Sequence, residues 1–448
     1  MCESQTIGHT IFAIILYYKG DAEIMAKFIV EHSENLSGCI KISGSKNAVL
    51  PILAASILTE KECLLHQVPA LTDVYAMITI LENLGATVTF DTKKETLKIC
   101  SGVLKKQEEE YELAEKMRAS FLIMGPLLAK YKQAKIPLPG GCPIGTRPVD
   151  LHLKGFLALG CKIKQEHGYI DITTKGLKGA NIYLDFPSVG ATENIMMAAT
   201  LANGVTMIQN AAAEPEISDL AAFLKKMGAD IEGEGTDTIV IRGVKELNGT
   251  EHTIIPDRIE AGTFMTAAAI TNGDIILENI NEEHLKPIIA KLSETNVKIE
   301  MVKEGLRIYR KGKLQPIHLK TMPFPGFPTD MQAPFMSLMT MIKGTSLVTE
   351  TVFENRFQHV SELKRMGANI KIESRSAVIE GVDKLTGSQV KATDLRAGAA
   401  LILSALAAEG KTEISDIYHV ERGYYKIEEK LKSLGAKILR CEDDNEES

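Results

Sequence analysis

A helix-stop signature recurs six times along this 448-residue chain, and no other feature restricts its fold as much. It reads Leu84-Gly85-Ala86, Leu159-Gly160-Cys161, Met227-Gly228-Ala229, Thr295-Asn296-Val297, Met366-Gly367-Ala368 and Leu434-Gly435-Ala436, at spacings of 75, 68, 68, 71 and 68 residues. An amphipathic pattern precedes each copy, as in Leu220, Phe223, Leu224 and Met227, and a short alternating strand follows, as in Asn369-Ile370-Lys371-Ile372. Glycine just past the last apolar residue supplies the left-handed conformation that closes a helix. A period of this kind means one supersecondary unit used repeatedly.

Each unit holds a second helix of different character. Segments 48–58, 119–129, 193–202, 261–270, 331–342 and 397–408 are apolar nearly all round. At about 11 residues they fall well short of the ~20 needed to span a bilayer, so they read as core helices. The unit is then strand, buried helix, strand, surface helix, strand, strand. Three buried helices can share one core, so six units make two lobes. The expected class is α/β: a two-lobed inverse α/β barrel of six βαβαββ repeats, its buried helices aiming their N-termini at an interlobe cleft. A solenoid is the alternative, but an open array has no use for helices that are apolar on every face.

The residue opening each buried helix is polar: Lys46, Arg118, Ser188, Arg258, Asp330 and Arg396. Helix N-termini carry unpaired N–H groups and about half a positive charge, which suits an anion. Ordinary caps are Ser, Thr, Asp or Asn, and cations there oppose the dipole, so four cations in six positions call for an external phosphate or carboxylate. A second feature is the segment 136–148, IPLPGGCPIGTRP, with a proline- and glycine-rich composition that describes a shaped lid. Cys142 in such a lid is exposed, and neighbouring Arg147 favours its thiolate. Asp150 and His152 follow and are placed to cap the next helix, while His419 reads as a packed histidine.

Composition removes several classes. Net charge is −7 without a Lys/Arg block, which argues against a nucleic-acid surface. Seven cysteines without a CxxC fit a reducing, cytoplasmic compartment. His and acidic residues show no metal-ligand spacing, and neither GxGxxG nor GxxxxGK[ST] occurs, so no metal or cofactor is expected. The apolar run within 7–18 is too short for a membrane span and lacks a basic stretch before it, so residues 1–25 read as a dispensable extension.

Nine motifs in order resemble the enolpyruvyl transferases, over residues 26 to about 440. They are Gly44-Ser45-Lys46-Asn47-Ala48, Met117-Arg118-Ala119-Ser120, the lid 141–150, Pro187-Ser188-Val189-Gly190-Ala191-Thr192, Pro256-Asp257-Arg258-Ile259-Glu260, Phe327-Pro328-Thr329-Asp330-Met331-Gln332, the ETVFENRF segment 350–357, Thr393-Asp394-Leu395-Arg396 and His419-Val420-Glu421-Arg422-Gly423-Tyr424. The cysteine lid is similar to the branch acting on UDP-N-acetylglucosamine in peptidoglycan synthesis. The 3-phosphoshikimate branch shares the fold without that lid. The resemblance implies transfer of enolpyruvyl from phosphoenolpyruvate to the sugar 3-hydroxyl, with release of phosphate. It implies Cys142 as general acid and fosfomycin target, and Asp330 as base. Lys46, Asn47, Arg147, Arg356, Arg396 and Arg422 fall to phosphoenolpyruvate, with Lys46, Arg147 and Arg422 on its phosphate side and Arg356, Arg396 and Arg422 on its carboxylate. Asn47, Arg118, Arg147, Pro148, Val149, Asp150, Leu151, Ser188, Val189, Asp330 and Val352 fall to the nucleotide sugar; Leu122 stands where some members carry an aromatic. The implied lobes are 46–255, carrying the lid, and 26–45 with 256–440, before an acidic tail, 441–448. A paralogue that holds a nucleotide sugar without chemistry is the competing class, although a binder has no need of Cys142.

Overall fold

The structure is a computed structural model that describes residues 26–102, 104, 118–138 and 149–442, with backbone alone for 118–120. The extension 1–25, most of the lid with Cys142, Arg147 and Pro148, and residues 443–448 lie outside the described residues.

The described residues form two compact units: one lies within 44–138 and 149–255, the other within 26–43 and 256–442. Six sheets divide between them, three to each, and none closes on itself among the described residues. "Barrel" therefore describes open sheets arranged around helices, with no closed cylinder of strands. Five of the sheets obey one rule: an edge strand pairs parallel with its neighbour, and two antiparallel pairings follow. Glu251–Thr253 runs parallel to Cys63–His66, which pairs antiparallel with Thr96–Cys100 and that with Thr87–Asp91. The sixth sheet shows three described strands, Gln133–Pro137, Tyr169–Thr173 and Lys162–Glu166.

The chain exchanges strands as it passes between sheets. Ser37–Lys41 precedes the first buried helix yet pairs with Asp274–Glu278 in the second unit. Glu251–Thr253, which precedes the fourth, completes the first sheet in the first unit. The opening strand, Ala26–Glu31, sits between Lys411–Ser415 and Lys437–Glu442, so the first strand of the chain completes the last sheet.

The buried helices are α1 (Lys46–Ala55), α2 (Met124–Tyr131, entered through a 3-10 turn at Arg118–Ile123), α3 (Val189–Ala199), α4 (Arg258–Ile270), α5 (Gln332–Thr340, entered through Thr329–Met331) and α6 (Leu395–Ala407). Their apolar side chains have no solvent face: in α4 every residue from Ile259 to Ile270 is buried, and in α6 every residue from Arg396 to Ala407. In the second unit α4, α5 and α6 pack on one another, and Phe264, Phe335, Met339 and Leu401 share their core. In the first unit α2 packs closely on α3: a Cβ on Gly125 would lie 2.2 Å from the Asn194 carbonyl oxygen, so only glycine fits there. The stop signature behaves alike in all six units. Gly85, Gly160, Gly228, Gly367 and Gly435 have φ between 90° and 113°, and Asn296 replaces glycine at φ 72°, a conformation asparagine tolerates.

Candidate active site

The densest chemistry in the second unit lies at the mouth of α5. Asp330 stands in the 3-10 turn before that helix and engages two arginines from other segments. Arg356 Nη2 donates to Asp330 Oδ1 at 2.7 Å, and its Nη1 donates to Thr329 Oγ1 at 2.9 Å. Arg396 Nε and Nη2 both donate to Asp330 Oδ2, at 3.1 and 2.8 Å. Planar guanidinium forks suit this shared geometry, which a lysine could not reproduce. Both arginines are buried, at 5% and 3% exposure. Burial alone would raise the Asp330 carboxyl, but the charges of Arg396 and Arg356 overcome it and hold the group well below the usual carboxylate range.

A supporting layer fixes the arginines. Phe353 lies 5.2 Å from the Arg356 guanidinium and Tyr424 lies 5.3 Å from that of Arg396, each ring presenting its π face to a cation. The Tyr424 hydroxyl shares a 2.9 Å hydrogen bond with Thr263. Buried Glu350 accepts from Thr321 Oγ1, Val352 N and Phe353 N through Oε1, and from Thr329 Oγ1 through Oε2. That one carboxylate ties the turn carrying Val352 and Phe353 to the residue beside Asp330. Asp394 caps α6 by accepting from Arg396 N and Ala397 N, which seats Arg396 at the helix mouth. His359 is buried beside Arg356 and Asp394, and burial pushes its imidazole down to about 4. None of Thr329, Glu350, His359 and Tyr424 was among the residues expected to form the site. Only their place inside or beside the quoted motifs marked them.

The first unit presents α1. Lys46 Nζ pairs with buried Asp73 Oδ2 at 3.3 Å, and Asn47 is half-buried in the same turn. Ser188 caps α3, its hydroxyl accepting from Ala191 N at 3.4 Å, and Val189 follows. Val149, Asp150 and Leu151 open the helix Asp150–Ala158, but Asp150 is its first residue and the cap position is Val149, without a side-chain cap bond. His152 is no cap either: its Nδ1 lies 3.1 Å from Asn194 Nδ2, and Phe121 meets its ring edge-on at 4.9 Å. The side chain of Arg118 lies outside what is described. Arg422, half-buried, ends the short helix Tyr418–Glu421, and His419 stacks on Tyr418 at 4.0 Å.

Two of the four helix-mouth cations have a carboxylate partner within the protein, Asp73 for Lys46 and Asp330 for Arg396. What remains unmet is more specific. Arg356 Nε and Arg396 Nη1 are buried donors that find no acceptor among the described residues. No group of three or more His, Cys, Asp or Glu that could hold a metal ion occurs among the described residues.

Six repeats in two units with arginines gathered at a helix mouth define an enolpyruvyl transferase, and the family model of EPSP synthase (3-phosphoshikimate 1-carboxyvinyltransferase) matches residues 30–431. The enolpyruvyl transferase NikO from Streptomyces tendae superposes with a TM-score of 0.84 at 24% identity, covering 94% of this chain and all of that one. An EPSP synthase from Acinetobacter baumannii superposes at 0.71 and 20% identity, covering 93% and 100%. These two likenesses concern the fold alone. UDP-N-acetylglucosamine 1-carboxyvinyltransferase 1 of Caldanaerobacter subterraneus subsp. tengcongensis is 62% identical over 414 residues, 92% of this chain and 99% of that protein. UDP-N-acetylglucosamine 1-carboxyvinyltransferase 2 of Carboxydothermus hydrogenoformans is 57% identical over 421 residues, 94% and 100%. The chain belongs to the family of the UDP-N-acetylglucosamine 1-carboxyvinyltransferases.

Proposed function

We propose that this enzyme transfers the enolpyruvyl group of phosphoenolpyruvate to the 3-hydroxyl of UDP-N-acetylglucosamine and releases phosphate, the first committed step of peptidoglycan synthesis. The observation that carries the reading is 62% identity across nearly the whole of a relative bearing that name. In this scheme the reaction is addition followed by elimination. Cys142 delivers a proton to C3 of phosphoenolpyruvate, C2 becomes electrophilic, and the sugar oxygen bonds to C2 as its proton passes to Asp330. In the elimination the Cys142 thiolate left by the first step takes a C3 proton, the C3–H electron pair forms the double bond to C2, and phosphate departs with the C2–O pair. Lys46, Arg147 and Arg422 stabilise the departing phosphate, while Arg356, Arg396 and Arg422 hold the carboxylate. Asn47, Arg118, Pro148, Val149, Asp150, Leu151, Ser188, Val189 and Val352 orient the nucleotide sugar.

Two features of the geometry support these roles. The buried Arg356–Arg396 pair retains unpartnered N–H donors, which suit a planar carboxylate. Ser188 leads into α3 with an N-terminus that suits a phosphate oxygen. A cytoplasmic location and a role in wall growth and division accompany the proposal. No helix among the described residues is long and apolar enough to cross a membrane.

The test is phosphate release from phosphoenolpyruvate with UDP-N-acetylglucosamine, run beside shikimate 3-phosphate. Turnover with the nucleotide sugar alone is expected; turnover with shikimate 3-phosphate alone, or with neither, would overturn the assignment. Fosfomycin, a small phosphonate epoxide, should label Cys142, faster when UDP-N-acetylglucosamine is present. An adduct mapped to Cys39, Cys63, Cys100 or Cys161, with Cys142 unmodified in active enzyme, would remove Cys142 as the acid.

A further inference from the structure

The base assigned to Asp330 is occupied. Both of its carboxylate oxygens accept from buried guanidiniums, Oδ1 from Arg356 and Oδ2 twice from Arg396. A carboxylate that accepts three bonds from two buried guanidiniums keeps one free lone pair on Oδ1 but lacks the proton affinity to take a proton from a sugar hydroxyl. The same arginines keep two further buried donors, Arg356 Nε and Arg396 Nη1, without an acceptor among the described residues. An occupied base and unfilled donors on its captors are independent observations, and one event resolves both.

We propose that Asp330 is a caged base, and that the carboxylate of phosphoenolpyruvate uncages it by drawing Arg356 and Arg396 onto itself. The inference rests on the functional reading above and deepens it. Before the exchange, two cations share one carboxylate. The incoming carboxylate supplies acceptors to the unfilled N–H groups and competes for the forks now on Asp330. As the forks turn, Asp330 loses its hydrogen bonds and gains a like-charged neighbour. Both changes increase its affinity for a proton. The proton then moves from the sugar 3-hydroxyl to an Asp330 oxygen: the sugar O–H bond breaks, an O–H bond forms on Asp330, and the freed electron pair makes the bond to C2. Base strength thus arrives with the second substrate, so a sugar bound alone keeps its proton.

The surrounding groups leave the arginines as the controlling charges. Asp257 and Asp394 are engaged in capping, the first to Ile259 N and Glu260 N and the second to Arg396 N and Ala397 N. Glu350 is tied to Thr321, Thr329 and the 352–353 backbone. Tyr424 is bonded to Thr263, and buried His359 is neutral at physiological pH. Thr329 bridges Arg356 and Glu350 through its hydroxyl.

The test follows the Asp330 carboxyl directly. Full-length protein labelled with 13C at the aspartate carboxyls is titrated with saturating UDP-N-acetylglucosamine, the Asp330 signal being assigned by its loss in Asp330→Asn. Two probes are compared: phospholactate, an unreactive molecule with phosphate and carboxylate, and inorganic phosphate. Withdrawal of one guanidinium should raise the Asp330 midpoint by about one to three pH units with phospholactate, and inorganic phosphate should leave it unmoved. An equal midpoint with both probes, or an equal rise with both, overturns the inference. Kinetics give a second reading. Asp330→Asn should lower kcat by about 100-fold or more, the scale of a lost general base, while KM for phosphoenolpyruvate falls because its arginines are released. A rise in KM instead would make Asp330 an anchor for the arginines and overturn caging. Wild-type enzyme that releases phosphate but shows no midpoint change sinks this inference alone; wild-type enzyme without turnover sinks the functional reading.

Discussion

The two units treat a buried glutamate in opposite ways. In the second, Glu260 on α4 is 2% exposed and fully engaged: Lys430 Nζ donates to Oε1 at 2.6 Å and Ser43 N donates to Oε2 at 2.7 Å. In the first, Glu193 on α3 is 3% exposed, and its Oε1 has no partner among the described residues. Burial raises both carboxyls. For Glu260 the Lys430 charge opposes the rise, whereas for Glu193 the nearby Glu216 and Glu214 add to it and push the group well above its ordinary value. Glu260 is therefore an ionic strut, which fixes Ser43 just past the strand Ser37–Lys41. Glu193 has no such cation among the described residues, and burial with its acidic neighbours favours the protonated form. A buried carboxyl needs a cation only where its charge holds something in place.

The largest expected effect breaks the strut. Lys430→Met leaves Glu260 buried without its cation and should lower stability by about 3–5 kcal/mol in urea unfolding. A variant as stable as wild type would show that the pair holds nothing. Next in size is a pH effect on the second unit's own neutral group. His359 titrates near 4 when folded against an ordinary 6.5. As pH falls below 6.5 the unfolded chain takes up a proton that the folded chain refuses, so stability drops between pH 6.5 and 4. The full difference is on the order of 3 kcal/mol. His359→Gln should flatten that limb of the stability curve, and an unchanged slope would place the acid sensitivity elsewhere.

These contrasts show where the sequence speaks and where it falls silent. The six stop signals specified the repeat, because a left-handed position is a local demand; even Asn296, which breaks the glycine pattern, meets it at φ 72°. The apolar helices were legible for the same reason, since burial on every face is written in composition. The site was legible as residue types in motifs, and Asp330, Arg356 and Arg396 do converge. Their mutual pairing was not legible. Asp330 and Arg396 are 66 positions apart, and nothing local shows that a cation at one helix mouth will answer the acid at another. Glu350 escaped notice likewise, since its four bonds come from residues spread over 321–353. Cap reasoning went astray at Val149 because Asp150, the better capping residue, falls one position too late.

A smaller effect is expected where a lysine, rather than an arginine, answers the buried acid. The Lys46–Asp73 contact is long, at 3.3 Å, and made by a single mobile ammonium, so its charge is easily lent to a substrate phosphate. Lys46→Ala should weaken phosphoenolpyruvate handling by about 1.5–3 kcal/mol in kcat/KM. Its cost in stability should be below that of Lys430→Met. Equal losses of stability would make the two lysines equivalent struts and end the distinction.

The smallest effect is the sharpest check on Glu193. Below pH 4.5, the ordinary glutamate value, Glu193 is protonated in both the folded and the unfolded chain and contributes no pH dependence. As pH rises above 4.5 the unfolded chain releases the proton while the folded chain keeps it. That difference favours unfolding progressively until the raised folded value is passed. Glu193→Gln copies the shape of the protonated acid and cannot ionise, so it should match wild type near pH 4.5 to within about 0.5 kcal/mol. By pH 8 it should equal or exceed wild type, because the variant's unfolded chain has no proton to release. The measurement is a pair of urea unfolding curves at the two pH values. If Glu193→Gln is the less stable protein at pH 8, Glu193 is ionised in the fold and its charge has a partner. The first unit would then balance its buried acids by the same rule as the second.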